Sequence, residues 1–267
     1  MFLDFHPTHL VNLAALATMS ANSIIDFHAN TDGVQNIVNV LNRINPEVEA
    51  IYVSTQHVIS PGNDHAELMN YSPYKLYGES KVIGESIVMR QETSTKWTIV
   101  RPTNIYGENH PNLKVGLWDL MIKGIYFHPR NDNSIKSYGY VKNTCWQILK
   151  IMVSENKEKF GKIYYLGDGN IPQEKWITGF EIELTGKRSN RLPKILFLAT
   201  GCLGSLLGLI GFKSPISLQR YKNLKTSNPV PVEITLQKFG VPPFTLEEGI
   251  QRTAAWVKNE ESGLSPK

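Results

Sequence analysis

Short apolar runs alternate with longer stretches of helical periodicity between residues 10 and 100. Leu10 to Ala15 (LVNLAA) is an apolar run ending in small residues, which predicts a buried parallel strand opening into a loop. Residues 30–43 place Val34, Ile37, Val38 and Leu41 at helical spacing, and Ala50 to Thr55 (AIYVST) predicts a second strand ending in hydroxyls. A loop with Pro61-Gly62-Asn63-Asp64 leads into a predicted helix, Pro73 to Arg90, with Leu76, Val82, Ile83, Ile87 and Val88 on its pattern. Trp97 to Val100 (WTIV) predicts a third strand, which Arg101-Pro102 is expected to stop because proline donates nothing to the ladder. This order of elements predicts an α/β fold with a doubly wound parallel sheet.

Beyond Gly107 the pattern loosens. Cys145 to Val153 reads as helix, Lys162 to Leu166 as a last sheet strand, and Gly167-Asp168-Gly169-Asn170 as a turn. Thr245 to Lys258 is an amphipathic helix with Leu246, Ile250, Ala254 and Val257 aligned, opened by a Thr245/Glu248 capping box. Residues 195–212 are uncharged and interrupted by Gly201, Gly204, Gly208 and Gly211. Around them, Lys187 to Lys225 holds eight basic residues and no acidic one. The segment admits three readings: a glycine-weakened transmembrane helix, a core or lid helix, or a membrane-contacting insertion beside anionic lipid.

Charge and cysteine content narrow the function classes. A net charge of +4 with no nucleic-acid-binding motif argues against a nucleic-acid partner. Cys145 and Cys202 make neither a disulfide framework nor a CxxC pair, so a reducing compartment, cytoplasmic by default, is expected. His6 and His9 are separated by Pro7 and have no third ligand nearby, so no metal site is expected. Asn70-Tyr71-Ser72 matches a glycosylation sequon, but in a reducing compartment it reads as a loop coincidence. Residues 1–9 carry no signal peptide and read as the middle of a domain.

The sharpest chemical signal is Tyr77-Gly78-Glu79-Ser80-Lys81. Residues four apart on a helix share a face, so Tyr77 and Lys81 are expected to meet. An ammonium favours the phenolate and equips the tyrosine to give or take a proton near neutral pH. Taken alone, the spacing is weak evidence and is more often a chance pair on a helix face. Thr55 changes the weighting, because it ends the preceding strand at the side where open parallel sheets place ligands; its other reading is a simple strand terminator.

With these residues in view the chain resembles the extended short-chain dehydrogenase/reductases, the group of nucleotide-sugar epimerases, dehydratases and reductases. The matching motifs are HLVNLAA (His9 to Ala15), NTDG (Asn30 to Gly33), YVST (Tyr52 to Thr55), YGESK (Tyr77 to Lys81) and RPTNIYG (Arg101 to Gly107), with looser matches at YLGDGN (Tyr165 to Asn170) and LEEGIQRTAAW (Leu246 to Trp256). The resemblance implies a Rossmann-like sheet, truncated at its N-terminal side, with a smaller mixed C-terminal substrate lobe. It divides the chain into a core over residues 1–170, of which 107–140 serve the substrate side, and a lobe over 171–267 containing 195–212. It implies that Thr55, Tyr77 and Lys81 are the catalytic set, with NAD or NADP as cofactor. Ala14 and Ala15 would line the pyrophosphate side, Asn30 would sit near the catalytic hydroxyls, Tyr77 and Lys81 would also contact the cofactor, and Pro102 and Thr103 would pass the nicotinamide. Thr55 and Asn104 would face the substrate. A homodimer through residues 30–43 and 73–90 is a further expectation of the family.

Three departures qualify the resemblance. No glycine-rich phosphate loop occurs in the chain, so the strand at Leu10 is expected to be a sheet edge. The 4,6-dehydratases of the family have Asp-Glu after the catalytic threonine where this chain has Gln56-His57, which favours epimerisation or carbonyl/alcohol redox chemistry over dehydration. Many relatives have Arg-Asp where Lys136-Ser137 stands. The reading is therefore an NAD(P)-dependent nucleotide-sugar epimerase or reductase. Its alternatives are a non-catalytic scaffold and a 3-beta-hydroxysteroid-dehydrogenase-like enzyme for a lipid or sterol-like alcohol, membrane-associated through 195–212.

Overall fold

A computed structural model of the chain describes residues 6–44, 47–91, 96–110, 116–193, 195–196, 199 and 218–261. The chain divides into two compact units: residues 1–105, 137–169 and 230–243 form the first, and 106–136, 170–229 and 244–267 the second.

In the first unit, four parallel strands, β1 (His9–Asn12), β2 (Glu49–Val53), β3 (Lys96–Pro102) and β7 (Lys162–Leu166), lie side by side in the order β1-β2-β3-β7. Strand geometry sends successive side chains to opposite faces, so each apolar run serves two cores. Ala50, Tyr52 and Ile99 face one side, where they pack with Val34, Val38 and Leu41 of α1 (Asp32–Ile44) and Val88 of α2 (Lys75–Met89). Ile51, Val100 and Leu166 face the other, against Ile151 of α4 (Val141–Val153) and Phe239 of α7 (Val232–Phe239). Ile99, Val100 and Leu166 are fully buried, each worth about 1.5–3 kcal/mol of apolar transfer. The layering is that of a Rossmann-like α/β sheet. Among the described residues β1 pairs with β2 alone, so it is the sheet's edge.

Two local expectations are corrected. The third strand runs through Arg101 and Pro102, which lies in register with Leu166; the ladder tolerates proline there because the bond to Leu166 O comes from Thr103 N, the next residue. Gly167 to Asn170 is not one turn, since β8 (Gly169–Pro172) begins within it. The chain passes between the two units within β8 and likewise within β4 (Asn104–Tyr106) and β6 (Ile135–Tyr140).

In the second unit, α5 (Gln173–Thr185) packs against α3 (Leu117–Ile122) and α8 (Leu246–Glu261). Trp176 and Phe180 on α5 meet Tyr106 and Trp118 in a ring cluster with centroids 4.6 to 5.8 Å apart. The two-residue strands β5 (His128–Pro129) and β9 (Arg191–Leu192) pair in parallel, and α6 (Leu218–Lys225) follows later in the chain. Buried His128 places Nε2 at 3.0 Å from Asp132 and 3.1 Å from Glu174, while Arg191 bonds Glu174 and Glu181. The capping box at α8 is formed: Thr245 N donates to Glu248 at 2.8 Å, and Glu248 N donates back to the threonine hydroxyl at 3.2 Å.

The apolar segment 195–212 lies almost wholly outside the described residues, as does Cys202. Ile195 and Leu196, which are described, are exposed, and no helix among the described residues is long and apolar enough to cross a membrane.

Candidate active site

The site is built where β2 ends. The chain leaves the strand through Ser54, whose amide still bonds Val100 O, and Thr55 then caps a short 3-10 turn (Gln56–Val58), its Oγ1 accepting from His57 N at 3.3 Å. A hydroxyl residue suits that place because its side chain satisfies a backbone donor left over at the turn's start. The turn brings His57 O against α2, where Tyr74 N donates to it at 2.8 Å. A Cβ on Gly78 would stand 2.2 Å from this oxygen, so glycine at that position allows the helix to approach closely enough to bring Tyr77 to Thr55.

Burial holds the Tyr77 phenol above its ordinary pKa, and the nearby Thr55 side chain opposes that shift without overcoming it. Lys81 lies one helical turn on. Its ammonium donates to Val53 O at 2.9 Å, and burial lowers it to about 8 while Glu85 opposes that shift. The lysine meets the strand end, and the lowered phenol expected from spacing does not occur in the chain on its own: desolvation penalises the phenolate more than its neighbours favour it.

Asn30 is fully buried and ties two segments together. Its amide accepts from Leu16 N at 2.8 Å, donates to Leu16 O at 3.1 Å, and donates to Ser80 Oγ at 2.9 Å; Ser80 in turn donates to Tyr77 O. It therefore anchors the loop after β1 to the turn that carries Tyr77 and Lys81. Ala14 and Ala15 lie in that loop, both exposed, with Ala14 N bonded to Asn12 Oδ1 at 3.1 Å. Pro102 ends β3. Thr103 N donates to Leu166 O, while its hydroxyl is buried without a hydrogen-bond partner, as is that of Ser54. Asn104 is held from behind: Gln56 Nε2 donates to its Oδ1 at 2.9 Å, and its Nδ2 donates to Ser137 O at 2.9 Å.

Two features emerge that spacing does not reveal. His57 stacks beside the site with its ring 6.3 Å from that of Tyr77 and 5.5 Å from that of Tyr74; burial lowers it to about 4, so the imidazole is neutral. Glu85 on α2 is bound through both oxygens by Arg101 of β3 at 2.9 and 2.7 Å. Both residues belong to short motifs or their helical continuation, yet their pairings form only when α2 is laid on the sheet. Among the described residues no group of three His, Cys, Asp or Glu side chains is placed to hold a metal.

Comparison with known proteins places these observations. The profile of the NAD dependent epimerase/dehydratase family matches residues 1–167. The chain is 24% identical to the decarboxylating sterol-4-alpha-carboxylate 3-dehydrogenase erg26 of Schizosaccharomyces pombe, over 98% of this chain and 81% of that protein. It is also 24% identical to the N-acetyl-alpha-D-glucosaminyl-diphospho-ditrans,octacis-undecaprenol 4-epimerase of Escherichia coli O157:H7, over 85% of this chain and 70% of that protein. The fold resembles the crystal structure of a UDP-glucuronic acid 4-epimerase from Bacillus cereus in complex with UDP-glucuronic acid and NAD, with TM-score 0.67 and 14% identity over 94% of this chain and 76% of that one.

Proposed function

Because the chain belongs to the NAD dependent epimerase/dehydratase family, we propose that it catalyses NAD-dependent hydride transfer at a carbinol carbon of a sugar carried on a nucleotide or lipid diphosphate, with Tyr77 as acid and base. The observation that carries the reading is the convergence of Thr55, at the end of β2, with Tyr77 and Lys81, one turn apart on α2, at the carboxyl end of a parallel sheet.

The residues present suit the nicotinamide half of the cofactor. Lys81 supplies a cation for a ribose hydroxyl, and the buried hydroxyls of Ser54 and Thr103 have unused hydrogen-bonding capacity. Exposed Ala14 and Ala15 leave the loop beyond β1 open to a diphosphate. When bound, NAD supplies the acceptor for the hydride. Tyr77 takes the proton from the substrate hydroxyl as its carbon becomes a carbonyl, and returns one when the carbonyl is reduced. Thr55 holds the substrate oxygen in line with the Tyr77 oxygen, and the Lys81 charge favours the phenolate form of Tyr77, which takes the proton on oxidation and is left again when a proton is returned on reduction. Gln56 transfers no proton and is engaged with Asn104, so epimerisation or alcohol/carbonyl redox chemistry is favoured over water elimination.

Two finer assignments belong to the same reading. The outer faces of α1 and α2 present Val82, Ile83 and Ile87 along a groove of about 420 Å³ with Gln35, Asn39 and Arg90, which suits pairing with the same face of a second copy. A peripheral membrane contact through residues 195–212 fits a lipid-linked or sterol-like substrate; it is supported by the uncharged segment and by the sterol and undecaprenol substrates named for the two curated relatives.

Calorimetry of the purified chain with NAD tests the proposal, followed by turnover of Tyr77→Phe on candidate diphospho-sugars. Micromolar NAD binding and a loss of turnover of about 10²-fold or more are expected. A folded chain that binds no NAD would remove the enzymatic reading and leave a scaffold role.

A further inference from the structure

We propose that Glu85, clamped by Arg101, is the positioning residue that keeps the Lys81 ammonium charged and fixed on the Val53 carbonyl. The proposal rests on the role given to Lys81 above. Glu85 stands four residues beyond Lys81, on the same face of α2. It is 3% exposed, and its two oxygens receive Arg101 Nε at 2.9 Å, Arg101 Nη2 at 2.7 Å and Tyr71 Oη at 2.7 Å. Arg101 is itself fully buried and also donates to Tyr165 Oη at 3.1 Å and Leu68 O at 2.8 Å. The clamp therefore joins the helix carrying Tyr77 and Lys81 to the strand that leads into Pro102, Thr103 and Asn104.

A buried ion pair is a poor device for stability alone, since desolvation offsets its attraction and an apolar pair of similar size serves as well. A buried carboxylate does, however, act on the charges beside it through a weakly screening medium. The groups facing Lys81 leave Glu85 as the charge that favours its ammonium. Tyr77 on its own helix and Tyr52 on β2 are phenols raised by burial, and His57 is neutral. Arg101 on β3 is bound to Glu85, and Tyr71 also donates to Glu85. Burial already draws Lys81 down to about 8, with Glu85 opposing. Removing the carboxylate would carry the lysine toward neutrality at ordinary pH and weaken a charge-assisted bond to Val53 O.

The test follows the Lys81 side chain directly, by the pH dependence of its ¹³Cε shift in lysine-labelled protein, assigned by its loss in Lys81→Met. Glu85→Gln is compared with the double variant Glu85→Gln/Arg101→Met, which leaves no unpaired buried charge and so is expected to fold. Tyr71→Phe, which keeps the carboxylate, serves as control. The wild-type midpoint is expected near 8; in Glu85→Gln it should fall by about one pH unit, in the double variant, which also removes the Arg101 charge, by less, and in Tyr71→Phe by least. A folded Glu85 variant titrating at the wild-type midpoint would overturn the proposal and make the clamp purely structural. The measurement needs neither cofactor nor substrate. If the midpoint shifts but the wild-type chain binds no NAD, the electrostatic role of Glu85 stands while the catalytic reading of Lys81 fails.

Discussion

Gly78 and His57 are two sides of one close approach. The helix can lie on the His57 carbonyl only because position 78 carries no side chain, the oxygen sitting 2.2 Å from where a Cβ would be. Gly78→Ala must therefore push helix and turn apart, separating Tyr77 from Thr55. A cost of roughly 1–3 kcal/mol is expected from overpacking against backbone, read as a fall in urea midpoint; an unchanged midpoint would show that the turn yields freely. His57 gives a pH-dependent companion. Its folded pKa is lowered from 6.5 to about 4 by burial, so the unfolded chain binds the extra proton first. Stability should fall as pH drops from about 6.5 to about 4 and then level off as far as this residue is concerned. His57→Gln should flatten that part of the stability curve by roughly 1–2 kcal/mol, after discount for partial solvent access. Parallel curves for the two proteins would show that His57 does not titrate differently on folding.

Helix α2 works on three sides. One packs the sheet through Val88 and Ile87, one presents Tyr77 and Lys81, and a third leaves Val82 and Ile83 along the outer groove. Ile83 is 36% exposed, which an amphipathic surface helix would normally avoid. Ile83→Arg is expected to leave the fold intact and abolish self-association, with sedimentation equilibrium giving the monomer mass; a wild-type chain that is already monomeric at tens of micromolar would sink the pairing outright. Short apolar runs and period-3.6 patterns made the four strands and flanking helices legible from sequence, because burial on both sheet faces requires an unbroken apolar run such as Ala50 to Val53. They also placed Tyr77, Lys81 and Thr55 at the ends of adjacent elements. What they could not carry is pairing across distance. Glu85 reads as an ordinary helical glutamate until Arg101 reaches it from β3, and Lys81 reads as a partner for Tyr77 until Val53 O is within 2.9 Å of its nitrogen. Pro102 misled for a related reason: a proline that stops a strand and one that ends it look alike until register is known.

At the scale of the molecule, charge is distributed unevenly along the chain. The stretch from Lys187 to Lys225 holds eight basic residues without an acid, around eighteen uncharged residues at 195–212. Not all of that charge is free. Arg191 is bonded to Glu174 and Glu181, and Lys225 reaches Asn131 O and Asp132. Lys187 and Arg188, by contrast, are exposed at an open cavity of about 490 Å³ that Lys123 also lines, and they lie shortly before exposed Ile195 and Leu196 in the chain. Each unpaired basic residue near an anionic bilayer contributes about 1 kcal/mol, and the attraction fades within a Debye length. The proposed membrane contact therefore predicts flotation of the chain with phosphatidylserine vesicles at low salt, release at high salt, and little binding to neutral vesicles. Lys187→Glu/Arg188→Glu should weaken flotation about tenfold or more while NAD binding is retained. Equal recovery with neutral and anionic vesicles would mean that apolar residues alone drive the contact, and no flotation at low salt would confine the substrate to what a dissolved enzyme can reach.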